Sequence, residues 1–213
     1  MDFVKSRQEM VDSQIRSRDI VDAGVLKAMA EVPREEFLPP ELRDVAYTDN
    51  PLPIGEEQTI SQPYIVALML QALELNGSEK VLEIGAGRGY QAAVLSRLCK
   101  HVYTVERLEA LAHHAEQVLQ KLCYMNVTVV VGDGSKGLEK NAPYDAIVVA
   151  AACSKVPSAL KDQLKEGGRM VLPVGDEYSQ ELMKLTKKDG DFVEQKLCDC
   201  AFVPLIGEED GQD

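Results

Sequence analysis

Positive charge is scarce in this sequence: 23 lysines and arginines stand against 35 acids in 213 residues, a formal net charge of −12. Phosphate backbones and anionic membrane surfaces recruit Lys- and Arg-rich faces, so neither nucleic acid nor a membrane is expected as a partner. Long apolar runs are missing as well. The longest, Ala146 to Cys153, holds eight residues, where about 20 are needed to cross a bilayer. Residues 1–10 mix charges where a secretory leader would place a continuous apolar stretch, which points to the cytoplasm. The five cysteines (Cys99, Cys123, Cys153, Cys198 and Cys200) form no CxxC pair, and an odd, scattered set fits reduced thiols better than a disulfide framework. Cys198 and Cys200 face one side of an extended segment, but with no third or fourth ligand nearby they read as core-facing and no metal site is expected.

What is present is ordinary for a globular protein: 45% hydrophobic and 27% charged residues, in a chain of single-domain length. A monomer is expected, with three regions: 1–79 as N-terminal helices and a lid arm, 80–206 as an α/β core, and 207–213 as an acidic tail. The first region reads as two helices, the second with Val25, Leu26, Met29 and Val32 on one stripe and Pro33 closing it. Six prolines then fall between Pro33 and Pro63, which predicts a long extended arm of turns, not a packed element, and hence a lid. From Lys80, short β-rich runs (81–84, 101–105, 127–131, 146–149 and 169–174) alternate with helical stretches, the clearest being Leu108 to Leu122 at 3/4 spacing. That order predicts a doubly wound, mostly parallel α/β sheet of Rossmann-like type. Residues 180–187 and 192–205, joined by Lys188-Asp-Gly190, predict antiparallel strands at its end.

In such a sheet the ligand lies beyond the carboxyl ends of the strands, and the first run leads straight into Gly85-Ala-Gly-Arg-Gly89. The loop follows a strand and precedes a helix, and Glu106 ends the next strand about twenty residues on, where a carboxylate can accept both ribose hydroxyls. A dinucleotide fold would put its third glycine one place later, where this chain has Tyr90. Glu83, two residues before Gly85, opposes a pyrophosphate but suits an ammonium and a sulfonium, which favours S-adenosyl-L-methionine over NAD. Asp133 and Gly134 close the third strand, within reach of an adenine amino group, although Asp-Gly is equally a turn signature. The fourth strand ends in alanines, where N-methylating enzymes of this fold present an amide or acid followed by prolines and an aromatic. An N-methyltransferase and a non-catalytic nucleotide-binding module are the rival readings.

Five stretches carry a closer likeness: Leu52-Pro-Ile-Gly55, Gln58-Thr-Ile-Ser-Gln-Pro63, Val81-Leu-Glu-Ile-Gly-Ala-Gly-Arg-Gly-Tyr90, Val149-Ala-Ala-Ala152 and Phe202-Val-Pro-Leu205. From about Val11 to Ile206 the chain resembles protein-L-isoaspartate O-methyltransferases. The resemblance implies methylation of the α-carboxylate of L-isoaspartyl residues in damaged proteins and peptides, which starts their return to aspartate. It also implies Ser61 as the active-site residue that orients the substrate carboxylate, with Thr59 and Ile60 lining the cofactor and Ala151 and Val203 on the peptide-binding walls. By spacing alone, Ser61 is also a candidate N-cap for the helix that starts at Gln62-Pro63. Two departures from the family pattern stand out: Glu57 in place of a glycine, and Arg88 in place of a small or hydroxyl residue. The reaction needs no general base, because the acceptor carboxylate is already ionised at neutral pH, and His101, His113 and His114 read as surface residues. Asp210-Gly211, a flexible isomerisation-prone pair, makes the tail a candidate substrate in trans.

Overall fold

The computed structural model describes residues 2–208, so Asp210-Gly211 lies outside the described residues. Helix α1 (Phe3–Met10) is capped by Asp2, whose carboxylate accepts from the Lys5 amide, and it continues as a wider turn to Arg16. Helix α2 (Ala23–Glu31) is capped in the same way by Asp22, which accepts from the Val25 amide at 2.8 Å. Its Val25, Leu26 and Met29, with Val32 just beyond, are buried as the 3/4 spacing requires.

The proline-rich arm corrects the sequence expectation. Its prolines prevent a long helix, yet residues 34–37 and 40–45 form short 3-10 turns, and Arg34, Phe37, Leu38 and Ala46 lie in the core. Proline density predicts irregular backbone; it says nothing against burial. The hairpin of β1 (Leu52–Gly55) and β2 (Gln58–Ile60) carries the arm's exposed tip, Gly55 to Glu57. Helix α3 (Pro63–Ala72) starts on its proline with Gln62 as N-cap, so Ser61 is not the cap and its side chain is left for another role.

The core then alternates: β3 (Lys80–Ile84), α4 (Tyr90–Leu95), β4 (His101–Glu106), α5 (Glu109–Lys121), β5 (Val127–Val131), β6 (Tyr144–Val149), α6 (Ser158–Gln163) and β7 (Leu164–Gly175), followed by β8 (Gln180–Lys188) and β9 (Asp191–Cys200). The sheet order is β5-β4-β3-β6-β7-β8-β9, parallel through β7 and antiparallel beyond it. Alternate residues of β3 face opposite sides, Val81 into the core with α1–α5 and Leu82 into the core with α6. Strand β9 stops at Cys200, five residues earlier than the pattern suggested. The chain then leaves the sheet to run beside the end of β6, where Ala152 donates to the Val203 carbonyl (2.8 Å) and accepts from the Leu205 amide (2.7 Å).

Candidate active site

The strand order reverses at β3, which has β4 on one side and β6 on the other. Loops leaving such a pair diverge and open a crevice beyond the strand ends. A cavity of about 830 Å³, counted with its open mouth, occupies it. Gly85 and Gly87 from the loop after β3, Glu106 from the end of β4, Gly134 after β5 and Ala151 after β6 all line it. Thr59, Ile60 and Ser61 line it from the hairpin side, and Val203 from the segment after β9. Sequence reasoning missed Ile54, Tyr90, Gln91 and Leu205, which also line it. Gln91 was legible from its place in the first turn after the glycine loop; its buried side-chain amide sits beside the Glu83 carboxyl.

Gly85 and Gly87 have φ of +89° and +52°, which lets the loop double back without a Cβ penalty. The Glu106 carboxylate fixes that loop: Oε2 accepts from the Gly87 amide at 2.8 Å and Oε1 from the Leu108 amide at 3.0 Å. An ionised carboxylate has about four acceptor positions, so two remain for a pair of vicinal hydroxyls. Gly89 does not line the cavity. It is the N-cap of α4, and a Cβ there would meet Ala115 and Leu119 of α5 at 3.2 Å, so it serves close helix packing.

The model of the protein-L-isoaspartate(D-aspartate) O-methyltransferase family matches residues 5–210. The chain belongs to that family. It is 51% identical over 209 residues to the protein-L-isoaspartate O-methyltransferase of Syntrophus aciditrophicus (strain SB), covering 97% of this chain and 96% of that one. With protein-L-isoaspartate O-methyltransferase 1 of Rhodopseudomonas palustris (strain HaA2) it shares 55% identity, covering 97% and 85%. A solved protein-L-isoaspartate O-methyltransferase superposes with a TM-score of 0.84 at 33% identity, over 96% of this chain and 67% of that one. Another, described as a beta-aspartate methyltransferase of Plasmodium falciparum and solved with S-adenosyl-L-homocysteine, gives 0.82 at 25% identity, over 94% and 98%.

In this isoaspartate methyltransferase fold two acids sit differently from the sequence expectation. Glu83 is fully buried beneath the loop and does not line the cavity. Its Oε2 accepts from the Thr104 hydroxyl at 2.5 Å, and the Gln91 side-chain amide lies beside the same carboxyl. Burial pushes its carboxyl up to about 8, with the hydrogen bond from Thr104 opposing, the nearby Glu106 adding, and Gln91 also opposing. Below that pH it is neutral, so the expected attraction to an ammonium is absent from the free protein at pH 7. Asp133 also stays off the cavity wall. It caps the turn at Gly134–Lys136, with Oδ1 accepting from the Ser135 amide (3.0 Å) and Oδ2 from the Glu208 amide (3.0 Å), which leaves Gly134 as the lining residue.

Ser61 is half-buried and its hydroxyl has no partner among the described residues; its carbonyl accepts from Arg34 Nη2 at 2.9 Å. Arg88 lines the cavity and donates to His114 Nδ1 (3.3 Å), with Nε and Nη1 buried and unbonded among the described residues. His114 is thus half-buried instead of a surface residue, and burial together with the Arg88 charge holds its pKa below the ordinary value. His101 is half-buried too, against the Thr128 hydroxyl at 3.0 Å, and His113 is exposed. Among the described residues no histidine lines the cavity and no cluster of metal-ligating side chains occurs.

Proposed function

We propose that this pocket transfers a methyl group from S-adenosyl-L-methionine to the α-carboxylate of L-isoaspartyl residues in damaged proteins and peptides, forming a methyl ester that starts their repair. The observation that carries the reading is the place of Ser61: a hydroxyl without a partner among the described residues, on the same cavity as the glycine loop and as Ala151 and Val203, in a chain that the family model matches almost throughout. The lining fits the cofactor. Glu106 has acceptor capacity for ribose hydroxyls, and the backbone turn at Gly85 and Gly87 and the Gln91 side-chain amide on the cavity wall offer polar contacts. When bound, the cofactor supplies a methyl group on cationic sulfur.

The chain's own work is placement. The Ser61 hydroxyl donates to one oxygen of the substrate carboxylate and leaves the other free to attack. Thr59 and Ile60 flank the cofactor, and Ala151 and Val203 border the peptide. The main-chain groups of Ala152 are taken by Val203 and Leu205, so those walls are stitched together before any peptide arrives. No side chain needs to remove a proton, because the acceptor is ionised at neutral pH. Ile54, Ile60, Val66 and Leu205 make much of the lining apolar, which excludes water from the two reacting charges. Holding two reactants near attack geometry is worth up to about 7–11 kcal/mol.

Residues 1–79 and 80–206 act as one domain on this reading, since a single core cluster joins Met10, Phe37 and Leu70 to Val81 and Leu182. A monomer in the cytoplasm, away from nucleic acid and membranes, is the reading that the charge of −12 supports. Among the described residues no helix is long and apolar enough to cross a membrane. Incubation with methyl-labelled S-adenosyl-L-methionine and an isoaspartyl peptide is expected to give a base-labile ester. A base-stable product would mean N-methylation, and no product would mean a binding module.

A further inference from the structure

Arg34 is completely buried, yet no carboxylate pairs with it among the described residues. Its Nε donates to the Ala46 carbonyl at 2.8 Å and its Nη2 to the Ser61 carbonyl at 2.9 Å. Nη1 is buried without a partner among the described residues, and the guanidinium carbon lies 4.8 Å from the centroid of the Tyr90 ring. Taking a cation out of water costs several kcal/mol, and carbonyls and a ring face offset only part of it. An apolar side chain would fill the same volume without that cost, so what this position requires is the rigid fork of donors that only arginine carries.

The fork joins three pieces far apart in sequence. Ala46 is in the arm, Ser61 follows the hairpin, and Tyr90 is the first residue of α4, directly after the glycine loop. Ser61 is held from the far side as well, since the neighbouring Gln62 side chain donates through Nε2 to the Asp49 carbonyl and carboxylate at 3.0 and 2.8 Å. We propose that Arg34 is a positioning residue for methyl transfer: through the Ser61 carbonyl and the Tyr90 ring it sets the spacing between the segment that presents the acceptor and the loop that holds the donor. The inference rests on the reading of this pocket as a methyltransferase site. It adds that alignment, and not cofactor affinity, depends on Arg34.

The test is a kinetic cycle on the full chain with an isoaspartyl peptide, run well below the melting temperature of each variant. Arg34→Lys keeps the charge and loses the fork, and it is expected to lower kcat about ten- to hundred-fold while the Kd for S-adenosyl-L-homocysteine by calorimetry moves less than about two-fold. In a Ser61→Ala background the same substitution is expected to add less than about two-fold, because the group it places is gone. Arg34→Gln, neutral and still a donor to one carbonyl, gives the same readouts if the buried ammonium prevents folding. An unchanged kcat overturns the inference, as does a loss of kcat matched by the same loss of cofactor affinity, which marks a general packing role. With an impaired Ser61→Ala, equal losses in both backgrounds overturn it too. A silent Ser61→Ala beside an impaired Arg34→Lys removes the role of the hydroxyl and keeps that of Arg34, since kcat then reports the placement of the whole segment.

Discussion

Glu83 gives the sharpest prediction, because its environment reverses the usual behaviour of a carboxylate. With a pKa raised from 4.5 to about 8, the folded protein holds one more proton at this group than the unfolded chain does between those two values. Stability therefore falls as pH rises through that window, at about 1.4 kcal/mol per pH unit from this group alone. From pH 5.5 to 7.5 that is about 2–3 kcal/mol, a visible share of the roughly 5–15 kcal/mol of a typical domain. Glu83→Gln keeps the shape and an oxygen for the Thr104 hydroxyl and removes the titration. Urea unfolding of both proteins at a series of pH values isolates the group together with its coupling to Glu106, since residues out of its reach titrate alike in the two. The variant is expected to match the wild type below about pH 4.5, where neither carries a charge at this site, and its advantage to grow by about 2–3 kcal/mol between pH 5.5 and 7.5. Parallel curves, or a wild type that gains on the variant as pH rises, would mean that the carboxylate is ionised in the fold and that burial does not control it.

Ser61→Ala removes one charge-assisted hydrogen bond, about 1.5–3 kcal/mol, and is expected to slow transfer to an isoaspartyl peptide ten- to hundred-fold; undiminished turnover would leave the serine without that role. Glu106→Ala is expected to weaken S-adenosyl-L-homocysteine binding in calorimetry at least about ten-fold, because it removes the ribose acceptors and frees the Gly87 amide; unchanged affinity would refute the assignment. Glu57 sits at φ +56° beside Glu56 at +52°, so Glu57→Gly is expected to raise stability by about 0.5–1 kcal/mol in thermal melts, and a loss would show that the tip is not strained. Arg88→Ser removes a positive charge next to His114, whose imidazole is expected to titrate higher by NMR, part of the way to its ordinary value, with burial keeping the remainder of the shift; an unmoved titration would rule the pair out.

The parallel core was legible because strands buried on both faces read as continuous β-branched runs such as Ala146 to Val149, and a helix such as α5 shows its stripe directly. The arm was not, because what packs it is long-range: Arg34 reaches carbonyls 12 and 27 residues away, and no local pattern encodes those partners. Of the site, the glycine loop and Glu106 were readable from their spacing to strand ends, and the Ser61 segment from family likeness. Glu83 was placed correctly along the chain but not in depth. Its raised pKa follows from its place on the central strand β3, between β4 and β6, where the side chain is fully buried, which is a property of the fold and not of the local sequence. The Ser61 cap failed by one residue, because Gln62 has the extended backbone (ψ 136°) that precedes the proline.

Ile54 and Ile206 share the lining of a single cavity although most of the sequence lies between them. Cofactor affinity is for that reason a gauge of wholeness: a fragment that lacks either end of the chain loses part of the cavity wall. Ligand added to a preparation counts intact molecules, and by mass action it protects all the segments together.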